Sequence, residues 1–315
     1  MTVYFNGRNN SVTRREALGA AALAFAPPAF GANRIDRSRV SAITDEIART
    51  PKGAIEFARQ YKLQWLELRS TPGERNSPGR KEYFLLPEAE LKQAAREFRD
   101  AGIRISFLNT SMLKYWIPGT EPVNPRASKN PERFNRRMDE LKRALDAAAI
   151  LGTAKVRVFT GWRVADPERV MPRVADLLNE MAEVAGRHKT SLLIENEGAC
   201  VVGNCAELVS LLRLVPSRWV GINWDPLNAS HRKEVAFPDG YESLPVRRIG
   251  NVQIKGRSIL PGPERMDWTA IFRRLERDGY RGQVGLETHI FGDIQVQKSH
   301  ESIREILRIA GSPVS

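Results

Sequence analysis

Apolar and polar positions along this chain follow two alternating periods. Short, nearly continuous apolar runs recur, rich in Val, Ile, Leu and Trp. Between them lie longer stretches in which apolar residues return every three or four positions. The first pattern predicts strands covered by protein on both faces, and the second predicts amphipathic helices. The predicted strands are 39–44, 64–69, 103–108, 155–159, 191–194, 219–224, 250–252 and 283–286. The predicted helices cover 52–61, 86–100, 131–151, 167–188, 206–214, 267–277 and 301–309, with Asp166, Asn204 and Asp267 as N-caps and Gly102 and Gly152 as stops.

Eight strand–helix units in series, with no break in composition after residue 33, predict one α/β domain over 33–315, a (β/α)8 TIM barrel. An open dinucleotide-binding sheet lacks support, because no Gly-x-Gly-x-x-Gly follows the first strand. Two long connections, 70–85 and 109–130, follow the second and third strands. They fall on the C-terminal face, where barrels carry their active sites, and are candidate lids.

Glu195, Asp225, Gln253 and Glu287 each follow a predicted strand, separated by 30, 28 and 34 residues. Parallel neighbouring strands would bring their ends to one place. Three carboxylates there repel one another unless a cation joins them, so the pattern predicts a divalent metal held by these four side chains.

The net charge of +12 raises the question of nucleic acid. The basic residues are spread among acids and no recognition motif accompanies them, so a small-molecule partner is expected, with the oligomeric state open. Residues 1–32 read as an address, with Arg14-Arg15 ahead of an Ala-rich run and a small-residue end. That predicts twin-arginine export to the periplasm. No other segment is long and apolar enough to span a membrane. Cys200 and Cys205 are either a disulfide or two buried thiols, and the absence of further Cys or His partners excludes a zinc ribbon.

Ile194-Glu195-Asn196, Asp225-Pro226-Leu227-Asn228, Val252-Gln253-Ile254-Lys255 and Leu286-Glu287, in this order and spacing, resemble the sugar isomerase/epimerase superfamily. This is the xylose isomerase-like barrel, which also includes type-four apurinic endonucleases and inosose dehydratases. The resemblance covers roughly residues 36–311. It implies Glu195, Asp225, Gln253 and Glu287 as ligands of Mn²⁺, Mg²⁺, Co²⁺ or Zn²⁺, with Glu195 and Glu287 as acid and base. The chain departs from the family at Gln253, where His is common, and at Gly256, where Asp often stands. A neutral amide oxygen is harder than imidazole, which favours Mn²⁺ or Mg²⁺. His is also found in the family where Asn228 stands, and His231 is then a candidate substitute. With only His188, His231, His289 and His300, the chain lacks the histidines of a three-metal endonuclease.

Glu67, Trp116, Lys255, Arg257 and His289 are the candidate substrate contacts, and Asn196, Glu197 and Asn228 are expected to orient the ligands. Tyr115, Trp162 and Trp224 are candidates for an apolar wall. The predicted function is a metal-dependent isomerase, epimerase or keto-sugar lyase acting on a non-phosphorylated carbohydrate or polyol. The alternative is a carbohydrate-binding barrel whose metal site has degenerated.

Overall fold

The computed structural model describes Met1 and residues 34–73, 77 and 79–312. The twin-arginine segment lies outside the described residues. Eight parallel strands form one sheet: β1 (Val40–Ala42), β2 (Trp65–Leu68), β3 (Arg104–Leu108), β4 (Lys155–Val158), β5 (Ser191–Glu195), β6 (Val220–Trp224), β7 (Ile249–Lys255) and β8 (Gln283–Glu287). Their order is β1-β8-β7-β6-β5-β4-β3-β2, and a parallel bridge between Ile43 and Glu67 joins the two ends into a nearly closed barrel. The predicted barrel is therefore the observed one.

The strands are short, three to seven residues each. Their side chains are buried nearly throughout, which explains the lack of strict alternation. Outer helices at Pro51–Gln60, Glu88–Asp100, Arg137–Leu151, Pro167–Arg187, Cys205–Leu214, Trp268–Arg277 and Gln295–Ile309 cover the barrel. The Asp166, Asn204 and Asp267 side chains accept from the backbone N–H of Arg169, Glu207 and Ala270. Gly152 closes its helix in the left-handed region, at φ 74°.

Two helices differ from the sequence reading. The expected helix over 131–151 is divided at Arg136, which leaves helical geometry at φ −94°, ψ 9°. The Arg133 guanidinium in the detached first turn is tied to Ser111 and Glu140. The last helix starts at Gln295, not Glu301. Its first buried face is Gln295, Ser299 and Ser302, so the apolar period shows only from Ile303. Ser299 Oγ meets Thr288 Oγ1 at 2.6 Å and donates to the Glu46 carbonyl at 3.0 Å, which gives this polar face its partners. Cys200 and Cys205 are both buried and free.

Register places the site. Lys255 is level with Glu287, Gln253 with Gly285, and Glu195 with Asn223. Lys255, Glu195 and Glu287 are therefore the last residues of their strands, and Gln253 lies one two-residue step deeper in β7.

Candidate active site

Three carboxylates meet at the C-terminal mouth. One oxygen from each of Glu195, Asp225 and Glu287 lies within 4.8 Å of the others, and all three residues are buried. Asp225 follows β6 directly and caps the short Pro226–Ser230 turn, where its Oδ1 accepts from Asn228 N at 2.9 Å. The Asn196 side chain clamps the Asp225 backbone from both sides, donating to its carbonyl at 2.7 Å and accepting from its N–H at 2.9 Å. Asn228 Nδ2 in turn donates to the Asn196 carbonyl at 2.9 Å. These contacts aim Asp225 and leave its buried Oδ2 to the Lys255 ammonium, 3.0 Å away.

Three side-chain cations answer the carboxylates. Arg157, inside β4, donates to Glu195 Oε2 at 2.8 Å. Arg69, just after β2, donates to Glu287 Oε1 at 2.7 Å and also reaches Asp45 and Glu46. Lys255 Nζ stands 3.0 Å from both Asp225 Oδ2 and Glu287 Oε2. Burial pushes Asp225 up to about 6, with Glu195 adding to it against the pull of Lys255. Burial likewise raises Glu287, but Lys255, His289 and Arg69 outweigh it and hold that carboxyl well below the usual range. Burial lowers Lys255, yet Asp225, Glu287 and Glu195 hold it well above the ordinary lysine value.

Beneath the carboxylates lies a layer of amides. Gln253 Oε1 accepts from Asn223 Nδ2 and Asn251 Nδ2, each at 3.3 Å, and its Nε2 donates to the Gly285 carbonyl at 3.3 Å. Asn223 also donates to Glu195 Oε2 at 3.1 Å. Glu67 is fully buried at the bottom of this layer, accepting from Ser41, Asn109 and Asn251. Burial raises its carboxyl against those hydrogen bonds. A Cβ at Gly285 would collide with the Glu67 carboxylate, so this layer requires glycine there. Gly256 is required too, because a Cβ would lie 2.7 Å from the Thr288 carbonyl oxygen. The Asp that the resemblance leads one to expect at this place has no room.

A cavity of about 460 Å³ opens above, lined among others by Arg69, Arg80, Lys114, Arg157, Phe159, Glu195, Glu197, Lys255, Glu287, His289 and Phe291. Both long connections line it, through Ser70, Ser77, Arg80 and Glu82 and through Ser111 and Lys114. Of the candidate substrate contacts, Lys255 and His289 line the cavity. His289 Nδ1 is 3.5 Å from Glu287 Oε1, and its backbone N–H donates to Glu46 at 2.7 Å. Three others do not line it. Glu67 is beneath it. Trp116 donates its Nε1–H to the Thr120 carbonyl. Arg257 pairs with Glu264, half-exposed and outside the cavity. His231 also binds Glu264, at 2.6 Å, so it substitutes for no ligand among the three carboxylates. Glu197 lines the cavity in an ion pair with Lys114 at 2.8 Å, instead of orienting a ligand. Trp224 is core, packed on Tyr241, and Tyr115 is buried.

The sequence reading missed Asp45, Glu46, Arg69, Arg157, Asn223 and Asn251. Asp45 and Glu46 follow β1 as Glu195 ends β5, and Arg157 interrupts the apolar run of β4. A charge inside an otherwise apolar strand was the available signal.

The profile of one family, described as xylose isomerase-like TIM barrel, matches residues 55–309. No curated protein matches the chain by sequence. Among solved structures, a 3-keto-D-glucoside 4-epimerase from E. coli superposes with a TM-score of 0.65 at 16% identity, over 85% of this chain and 98% of that one. The IolI protein with a bound zinc atom gives 0.64 at 14% identity, over 85% and 98%. A D-psicose 3-epimerase determined in the presence of D-fructose gives 0.61 at 17% identity, over 86% and 96%. At these identities the likeness is one of fold.

Proposed function

Because the chain belongs to the family of xylose isomerase-like TIM barrels, we propose that it is a divalent-metal-dependent isomerase or epimerase, or a keto-sugar lyase, that removes a proton next to the carbonyl of a non-phosphorylated carbohydrate or polyol. The observation that carries this reading is the trio of Glu195, Asp225 and Glu287, with oxygens within 4.8 Å of one another, of which Glu195 and Glu287 line a polar cavity. The epimerases among its structural neighbours support it.

The residues fit a metal. Three carboxylates form an all-oxygen donor set, and the buried Asp225 Oδ2 faces a cation, the Lys255 ammonium at 3.0 Å. Glu195, Asp225 and Glu287 would hold the ion. Gln253 would add a neutral oxygen by giving up the amide donors of Asn223 and Asn251. Oxygen donors favour Mn²⁺ or Mg²⁺ over Co²⁺ or Zn²⁺. When bound, the ion supplies Lewis-acid polarisation of the substrate carbonyl.

The side chains supply the proton transfer. Glu195 is fixed by Arg157 and Asn223, and Glu287 by Arg69. They reach the cavity from strands with β6 and β7 between them. One carboxylate can take the proton from one side of a carbon while the other returns it, and elimination starts with the same abstraction. Glu287 is held ionised by its cationic neighbours, so its oxygens are free to accept a proton. Phe159 and Phe291 give the cavity its apolar lining.

The twin-arginine segment belongs to this proposal. It supports a periplasmic enzyme, and therefore free or oxidised sugars or glycosides in preference to sugar phosphates. The test is solvent exchange: purified protein with Mn²⁺ and a panel of keto-sugars in D₂O, followed by NMR. Deuterium is expected at the carbon next to the carbonyl, and Glu195→Gln and Glu287→Gln should each abolish its uptake. If no sugar exchanges and Mn²⁺ neither binds nor raises the melting temperature, the barrel is a non-catalytic carbohydrate binder.

A further inference from the structure

We infer that Lys255 is a built-in competitor for the metal position: its ammonium holds the carboxylates together when no ion is bound and swings into the cavity when one enters. The inference rests on the metal reading above. Lys255 Nζ lies 3.0 Å from Asp225 Oδ2 and 3.0 Å from Glu287 Oε2. An ion bound to those same two oxygens at about 2.0–2.6 Å would have to enter the wedge where Nζ stands. Two cations cannot share it, so loading requires the ammonium to leave.

The register makes this placement a property of the fold. Lys255 is the last residue of β7 and pairs directly with Glu287, the last of β8. Its backbone is pinned, because the Lys255 carbonyl accepts from Ser258 Oγ at 2.7 Å. Only the side chain is free to move, and it has somewhere to go. Lys255 lines the cavity, as does the Glu197 carboxylate. Glu197 therefore offers the released ammonium a partner besides the one it has in Lys114. Arg157 and Arg69 bind Glu195 Oε2 and Glu287 Oε1, neither of which Lys255 pairs with, and need not move.

The consequence is a site that keeps its shape without metal and binds the ion more weakly than three carboxylates alone would. Once loaded, it also presents a cation to the substrate's oxygens. Calorimetric titration with Mn²⁺ tests this. Lys255→Met is expected to bind Mn²⁺ at least tenfold more tightly than wild type, while Asp225→Asn loses binding. Equal or weaker binding by Lys255→Met overturns the inference. That variant is at risk of folding poorly without metal, so a second measurement uses the unaltered protein: reductive methylation of Lys255, read by mass spectrometry, with and without saturating Mn²⁺. Labelling is expected to be slow in the apoprotein and several-fold faster in the loaded one. Mn²⁺ bound at one equivalent with Lys255 still protected overturns the inference and leaves the metal reading standing. Failure of wild type and Lys255→Met alike to bind Mn²⁺ removes both.

Discussion

Two lysines sit at opposite ends of this barrel, Lys155 partly buried and Lys255 fully, and they carry opposite electrostatics. Lys155 opens β4 at the N-terminal end. Its Nζ donates to the Gly250 carbonyl at 2.9 Å and to Gln283 Oε1 at 2.8 Å. Its partners there are neutral, and burial pushes it down to about 8 against a pull from Glu67. Lys255 closes β7 at the C-terminal end, 3.0 Å from each of two carboxylates, and is held well above the ordinary value. Burial is common to both, so carboxylates within reach decide the difference. A buried lysine that meets only amides and carbonyls is a structural donor able to do its work uncharged. One wedged between carboxylates is an obligatory cation, placed where the fold gathers negative charge.

The strongest way to break the comparison is to remove the carboxylates. Glu287→Gln and Glu195→Gln each delete a proton-transfer group. Each is expected to lower turnover by about 10²–10⁴-fold, with the protein still folded. Glu287→Gln also leaves Lys255 with Asp225 as its one hydrogen-bond-range carboxylate. Steady-state kinetics on whichever keto-sugar exchanges deuterium would measure the loss, and a change under tenfold in both variants removes the two glutamates from the chemistry.

Removing the cation comes next. Without metal, Lys255→Met leaves Asp225 and Glu287 buried without their shared partner. Breaking a buried pair from one side costs about 3–5 kcal/mol. Urea denaturation in EDTA should show that loss, and Mn²⁺ should restore part of it. A loss below about 1 kcal/mol would mean that Arg69 and Arg157 suffice and that Lys255 differs little from Lys155.

The equivalent change at the other end should behave differently. The folded Lys155 value of about 8 lies below that of an unfolded lysine, about 10.4. Between these values the unfolded chain binds the extra proton, so this group makes stability rise with pH across the window. The rise is of order 1–3 kcal/mol. Lys155→Met should remove it while costing little at pH 7. Lys255 has the opposite sign: its folded value is raised, so its stabilisation is complete below about 10.4 and is lost only as pH climbs through the folded value. Parallel melts of the wild type and Lys155→Met from pH 7 to 10 would decide it, and superimposable pH curves would falsify the assignment.

The contrast also marks what the sequence could reveal. Strand positions were legible because runs such as Ser191–Ile194 are apolar throughout, and helix starts because Asp166, Asn204 and Asp267 cap in the ordinary way. The carboxylates were legible because each ends or follows a strand. What spacing did not reveal was register. Equal intervals in sequence suggested that Gln253 stands level with Glu287, but β7 runs two residues further, to Lys255. Nor did spacing show that Arg157 reaches Glu195 on the neighbouring strand, or that Arg69, just after β2, reaches across β1 to Glu287 on β8. The second contact depends on barrel closure, which no local pattern encodes.

Gln253 stands on the boundary between the two layers, and its expected effect is the smallest. By hydrogen bonding it belongs with the amides, since its Oε1 accepts from Asn223 and Asn251. By position in β7 it lies two residues below Lys255, and it is linked to Glu195 through Asn223. If its oxygen turns to a bound ion, Gln253→His replaces a hard oxygen with a softer nitrogen and should raise Zn²⁺ affinity relative to Mn²⁺ about tenfold. The two amides would then lose their acceptor, a stability cost of about 1–3 kcal/mol in the apoprotein. Paired calorimetric titrations with the two metals, alongside apoprotein melts, separate the cases. A shifted Zn²⁺/Mn²⁺ ratio makes Gln253 a ligand. A destabilised apoprotein with an unchanged ratio leaves it in the amide layer, and the metal site is then made by Glu195, Asp225 and Glu287 without it.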